Sequence, residues 1–359
     1  MDIGWTTRQN LAVKLPAALI LALLCAGSAA ALSDDGYVEK QRRMMEMHVV
    51  DRVDTWLRAT RIPGGVITLV EAEHLLFLEG FGHSDSSGRN AVDPHSTLFR
   101  TGAIVRVLTA TLALRMAEQG ALDLDSDITG LTSLIDDSFG PLTLRQLLLH
   151  TAGIDQRRIA TRARRPDELL PLADYLARRM PDRVRPADRL SVPSAHGYSL
   201  VGRICELVSD RDFGLLLEQE VLTPLGMSST TVVSSPVPNA RIATGHRWMA
   251  ERWTTVWPDF AQTTPASTLL TSAQDISLWM RAVLGDGTRL LQPESVSLLL
   301  EPQFRLHESL PGRTLALREG SSPDPPGLYL SSVENGTSAV LVLLPARRLG
   351  LFAAFNGEI

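Results

Sequence analysis

Three serines and a scatter of histidines are the groups in this sequence that could support covalent or acid–base chemistry. Ser84 lies in Gly82-His83-Ser84-Asp85-Ser86. That stretch lacks the closing glycine of a nucleophile elbow and follows a strand-like run rather than joining a strand to a helix, so Ser84 reads as loop. Ser194 and His196 stand two residues apart, and Ser321 has no base close to it in sequence. Neither spacing supplies the oriented nucleophile and base that acyl transfer requires. The eight histidines, His48, His74, His83, His95, His150, His196, His246 and His307, form no H-E-x-x-H and no close pair, so neither a metal nor another cofactor is expected. The lysine inventory is sharper. Of 35 basic residues only Lys14 and Lys40 are lysine, and the residues three positions before them are Leu11 and Tyr37. A serine activated by a lysine one helical turn later therefore does not exist in this chain.

The chain that must position these groups has 359 residues, 44% hydrophobic and 21% charged, with a formal charge of −5. Such a composition buries a large core and excludes disordered, collagenous and coiled-coil classes. No basic stripe interleaved with aromatics is present, so nucleic acid is not an expected partner. At the start, Arg8 and Lys14 precede an apolar run over residues 15–24 and the small-residue stretch Ala26-Gly27-Ser28-Ala29-Ala30-Ala31. This is the layout of a secretory signal, residues 1–31, with cleavage after Ala31; an uncleaved anchor is the alternative. Cleavage removes Cys25 and leaves Cys205 alone, so the exported domain, residues 32–359, has no internal disulfide. No later run is long enough to span a bilayer, which implies a periplasmic or secreted protein.

Along that domain, residues 37–59 have helical apolar spacing and end at Pro63-Gly64-Gly65. Strand patterns follow at 66–70 and 75–81, and three more appear at 328–333, 339–344 and 350–355. Asn335-Gly336 marks a hairpin between two of these, because both residues tolerate positive φ. Helical patterns dominate between the two groups, at 104–119, 144–149, 169–180, 197–208, 213–221 and 273–284. Two small strand groups cannot each bury a face alone. The expected fold is α/β, an antiparallel five-stranded sheet built from both chain ends (32–90 and 300–359) and flanked by helices, with a large mainly helical insert at about 91–299. Trp248, Trp253 and Trp257 either pack against that sheet or line a groove.

Six segments occur in order at fitting distances: Ile62-Pro63-Gly64-Gly65, Gly80-Phe81-Gly82, Thr97-Leu98-Phe99-Arg100-Thr101-Gly102, Glu118-Gln119-Gly120-Ala121-Leu122-Asp123-Leu124-Asp125, Leu142-Thr143-Leu144-Arg145-Gln146-Leu147-Leu148-Leu149-His150-Thr151-Ala152-Gly153 and Pro224-Leu225-Gly226-Met227. Together they closely resemble the serine β-lactamase and penicillin-binding-protein-like hydrolases of the class C type. The resemblance implies the β-lactamase/transpeptidase-like architecture reached above. It also implies a Ser-x-x-Lys directly after Phe99-Arg100-Thr101-Gly102. Ala103-Ile104-Val105-Arg106 stands there instead. A methyl group cannot attack a carbonyl, and a guanidinium stays protonated, so Arg106 can hold an anion but cannot act as a base.

The family's second motif, Tyr-x-Asn, maps by the same resemblance onto Pro193, Ser194 and Ala195. Its third, a Lys or His ahead of Gly-rich strand backbone, maps before Pro326-Gly327, with Ser321 at the missing position. His150 is implied to be structural. The resulting expectation is a pseudoenzyme with no intact catalytic residue. Arg106 and Ser194 would face a vestigial cleft that takes a peptidoglycan stem, a peptide C-terminus or an acyl ligand, with the carboxylate on Arg106. An active hydrolase rebuilt on Ser194 or Ser321, and a decayed chain without a role, are the competing readings. The export reading carries its own test. The mature N-terminus should fall at or near Leu32, read by N-terminal sequencing of protein released with the soluble periplasm; full-length chain in washed membranes would show the anchor instead.

Overall fold

The computed structural model describes residues 35–135, 139–232, 242–267, 269–285, 290–320 and 327–359. The expected signal segment and Ser321 lie outside the described residues. Helix α1 (Asp35–Thr60) leads into strands β1 (Gly64–Glu71) and β2 (His74–Gly82). A short strand β3 (Phe99–Gly102) then feeds the helix α2 (Val105–Glu118). Helices α3 (Leu144–Leu148), α4 (Leu172–Arg179) and α5 (Ala195–Ser209) follow, then strand β4 (Leu269–Thr271) and helix α6 (Ala273–Leu284). The chain closes with β5 (Arg318–Glu319), β6 (Leu328–Glu334), β7 (Thr337–Leu344) and β8 (Leu349–Phe355).

The main sheet runs β5-β6-β7-β8-β1-β2 with every pair antiparallel, so strands from the two chain ends lie side by side at its centre. It has six strands rather than the expected five. The added β5 is two residues long and too short to show an alternating pattern. Most expected helices are observed; α4 starts at Leu172 rather than 169 because Pro171 precedes it and supplies no N–H to an earlier turn, and a helix at Pro293–Leu300 has no counterpart among those expected.

The sheet's two faces bury different partners. Ile67, Leu69, Phe77, Leu351 and Phe355 meet Val49, Val53, Trp56 and Leu57 of α1. Val66, Val70, Leu341 and Phe352 join the larger core with α2 and α6. Helix α2 has neither Gly nor Pro, and ten of its side chains are buried, which makes it a central helix rather than a surface one. Gly120, at φ +72°, takes the left-handed turn that ends it. Trp279 of α6 donates to Thr111 Oγ1 of α2 at 3.1 Å, tying the two together. The tryptophans of the insert divide. Trp253 sits against the α1 cluster and donates to the Thr60 carbonyl, whereas Trp257 is 86% exposed. Among the described residues no helix is long and apolar enough to cross a membrane.

Asn356, fully buried just past β8, locks the sheet's centre. Its Oδ1 accepts from the Gly64 amide at 2.7 Å and its Nδ2 donates to the His83 carbonyl at 3.0 Å. Asn356→Ala would leave buried backbone groups without these partners, and a loss of about 2–3 kcal/mol is expected in urea unfolding. A loss below about 0.5 kcal/mol, the range of ordinary surface changes, would show that the lock is not needed.

Candidate functional site

The cleft-side end of β6 and the start of α2 meet at one contact. Gly102 has φ +51°, and a Cβ built there would lie 2.3 Å from Ser332 Oγ and 3.0 Å from Glu334 Cβ, so only glycine lets the chain turn under β6. The next residue is Ala103, whose amide donates to Ser332 Oγ at 2.9 Å. Thr337 Oγ1 donates to the Arg100 carbonyl, which holds the Asn335-Gly336 hairpin over β3. The first free amide before α2 is thus occupied by a side chain of the facing strand.

One turn into α2, Arg106 projects toward the loop that follows α3. That helix begins with a capping box, in which Gln146 N donates to Thr143 Oγ1 and Thr143 N to Gln146 Oε1. It ends at His150, which takes positive φ and is stapled across to the segment before α5: Val192 N donates to His150 O, and Ser191 Oγ to Leu149 O. His150 Nε2 lies 3.5 Å from Arg106 Nη1, and its Nδ1 accepts from Ser194 N at 3.3 Å. The Arg106 guanidinium lies 5.4 Å from the Tyr198 ring centre, a cation–π contact. The Tyr198 hydroxyl donates to the Leu315 carbonyl at 2.6 Å. Burial first, then the charges of Arg106 and Arg313, holds the His150 ring well below the usual imidazole range. Burial also lowers both arginines, and each is close enough to act on Tyr198.

A small, partly open pocket of about 30 Å³ lies beside Gly102, lined by Arg100, Ser267, Leu269, Glu334, Arg162 and Asp259 among others. Arg162 ion-pairs with both Glu334 and Asp259, tying the helical region to the end of β6. Burial raises the Glu334 carboxyl against the pull of Arg162 and Arg100.

The structure links Arg106 to the Ser194 amide through His150, with Ala103 one turn before Arg106. It corrects the role of the Ser194 side chain. That hydroxyl donates to the Asp155 carbonyl at 3.0 Å and accepts from Gly197 N at 3.3 Å as the cap of α5, so it is spent on structure and offers nothing to a ligand. Pro193 is exposed, and the Ala195 amide donates to Gln156 Oε1. Ser84 lies in the loop after β2, as its surroundings implied, with its amide donating to the Asn90 carbonyl. The strand that reaches Ala103 is β6, which carries Leu330, Ser331 and Ser332. Ser332, Glu334 and Arg313 were missed from sequence. Counting back along the strand from the Asn335-Gly336 hairpin would have found the first two.

An antiparallel sheet made from both chain ends, facing a helical insert, with a buried helix starting at the cleft between them, is the β-lactamase/transpeptidase-like fold. Residues 42–359 match the family model described as Beta-lactamase, and the chain belongs to that family. It is similar to penicillin-binding protein 4 of Amycolatopsis lactamdurans, at 25% identity over 272 residues, 70% of this chain and 68% of that protein. In fold it is similar to a class C β-lactamase from Rhodobacter sphaeroides, with TM-score 0.67 and 22% identity over 89% of this chain and 94% of that one. An octameric penicillin-binding protein homologue from Pyrococcus abyssi gives TM-score 0.72 at 18% identity, covering 88% of this chain and 73% of that one.

Behind the site, fully buried His196 meets the Tyr175 hydroxyl through Nε2 at 3.0 Å, while its Nδ1 has no partner. Burial, helped by Arg157, pulls its pKa to about 4 from 6.5. The unfolded chain therefore binds this proton more readily. Stability is complete above pH 6.5 and falls as the pH drops toward about 4, by up to 1.4 kcal/mol per unit for one proton. His196→Gln, which keeps a partner for Tyr175, should flatten that slope in urea titrations at stepped pH. An unchanged slope would exclude His196 as the source.

Proposed function

We propose that this is an exported member of the β-lactamase family that has lost serine acylation and acts by binding a carboxylate-bearing peptide, peptidoglycan-like or acyl ligand in the remaining cleft. The observation that carries the reading is the contact between the Ala103 amide and Ser332 Oγ. Ala103 stands where the resemblance calls for the serine, and it has no oxygen with which to attack. A backbone N–H at that point is the kind of donor that stabilises a developing oxyanion. Here it is already satisfied by a hydroxyl, so a substrate carbonyl would have to displace Ser332 to use it. Arg106 stands where the resemblance calls for the lysine and remains charged, which suits an anion and not a proton acceptor. The strand against Ala103 has Leu330, Ser331 and Ser332 and contributes no Lys or His. Pro193 and Ala195 carry neither a phenol nor an amide side chain.

The wild type should neither hydrolyse a chromogenic cephalosporin nor retain a fluorescent penicillin through denaturation; a labelled band chased by unlabelled penicillin would overturn the reading. Ala103→Ser with Arg106→Lys should give at most slow stoichiometric acylation, because groups that act as a unit are strongly non-additive. Adding Ser332→Gly should speed that acylation at least about tenfold by freeing the residue 103 amide, a single oxyanion donor being worth roughly 10²–10³. Turnover by the double variant at about 1–10³ per second would show that the remaining machinery is intact.

A further inference from the structure

Two segments far apart in sequence form a strap at the end of β6. Arg162–Ala163 pairs antiparallel with Phe260–Ala261, and Gln262 N extends the pairing by donating to the Thr161 carbonyl. The Gln262 side chain adds two more ties, its Oε1 accepting from Leu170 N at 3.0 Å and its Nε2 donating to the Glu168 carbonyl at 3.1 Å. Residues 161–170 and 259–262 are thereby one unit. Among the described residues, that unit is tied to the main sheet at Glu334 and Asn335. Arg162 pairs with Glu334 at the end of β6, and Asn335 Nδ2, in the β6–β7 turn, donates to the Asp259 carbonyl at 2.8 Å. Arg162 Nε also donates to Asp259 Oδ1 at 2.5 Å. One guanidinium therefore joins both segments of the strap to the sheet.

The strap supplies Arg162, Asp259, Phe260 and Ala261 to the wall of the pocket beside Gly102, opposite Glu334 and Ser267. A pocket of about 30 Å³ holds roughly two water molecules. No peptide or acyl chain fits there while the strap is down. The tie itself is light, because the Arg162 side chain is 34% exposed and partly exposed ion pairs are weakened by solvent and salt. We propose that the strap is a latch, held over the pocket by the Arg162–Glu334 and Asp259–Asn335 contacts and released from the β6–β7 hairpin as one unit to admit a bulky ligand group. The proposal deepens the binding reading above and rests on it for the ligand; the closure belongs to the free protein and is measured there.

The test places a thiol in the covered pocket. Ser267→Cys in the mature protein is treated with a small reagent, methyl methanethiosulfonate, and a bulky one, fluorescein maleimide, with buried Cys205 as the internal control for global unfolding. The small reagent should modify Cys at 267 readily and the bulky one slowly. Adding Arg162→Gln or Glu334→Gln should raise the bulky-to-small rate ratio at least about threefold, the population shift expected from losing one partly exposed ion pair. Strong salt should raise the ratio in the same direction. The two substitutions together should do no more than either alone, because they break the same contact. Arg247→Gln, at an exposed arginine paired with Glu358, should leave the ratio unchanged. Bulky labelling as free as small labelling with the latch intact, a ratio that neither variant moves, or bulky labelling that rises only in step with Cys205 overturns the proposal. Those results leave the non-acylating reading standing. Penicillin labelling of the wild type would remove that reading without touching the thiol measurement.

Discussion

Seven residue pairs, from Gly65 opposite Phe355 to Glu71 opposite Leu349, join the first strand of the sheet to the last. Everything between them in sequence is held by that one ladder. β8 is buried along its whole length, so it can be neither an edge nor a solvent-facing strand, and both chain ends have to be present before its apolar faces are covered. The two faces then recruit different helices, α1 on one side and α2 with α6 on the other. Because ten of α2's fourteen side chains are buried, the helix lies between the sheet and the other helices, and this fixes where its first turn points. The cleft is a consequence of that placement: the start of a mostly buried helix emerges beside the β6–β7 hairpin, and the residues there are Gly102, Ala103 and Arg106.

At that point Gly102 turns the backbone under β6, and the proposed reading is that the groups placed there bind rather than acylate. Gly102 still makes a turn that no side chain fits, and β6 still runs close enough for Ser332 to reach the Ala103 amide. A bare strand backbone would leave that N–H to solvent or to a carbonyl. A serine at the same register satisfies it internally, which stabilises the resting protein and withdraws the donor from any incoming group. The ion pairs from Arg162 to Glu334 and Asp259 act in the same direction, since they tie the helical region to the end of β6 beside the cavity. Partly buried pairs of this sort are screened less than surface ones.

The strand and helix pattern was legible because its signals are local: apolar runs at β1 and β2, helical spacing at α2 and α6, Asn335-Gly336 at the hairpin. The sheet's order followed from the need to cover two small strand groups. The site was legible where a motif is contiguous, as at Ala103 and Arg106, and illegible where it depends on register. Ser332 reaches Ala103 from 229 residues away, a separation at which no sequence period operates. Ser194 was misread for a different reason. A serine just before a helical pattern is a capping signal as much as a candidate nucleophile, and here capping consumed its hydroxyl.

Arg106 is the residue on which the simplest account falls short. A chain with 33 arginines and two lysines exchanges one cation for the other broadly, and Arg106 could be one more such exchange. On an exposed face that would be the end of the matter. In this setting the two side chains are not equivalent. A buried lysine can shed its proton and leave the interior neutral, whereas a guanidinium keeps its charge and brings five N–H groups in place of three. No acid among the described residues pairs with it, its Nε has no acceptor, and His150 Nε2 lies 3.5 Å from its Nη1. A second cation, Arg313, adds to the same field instead of relieving it. The stacking on Tyr198 offsets part of the desolvation and none of the charge.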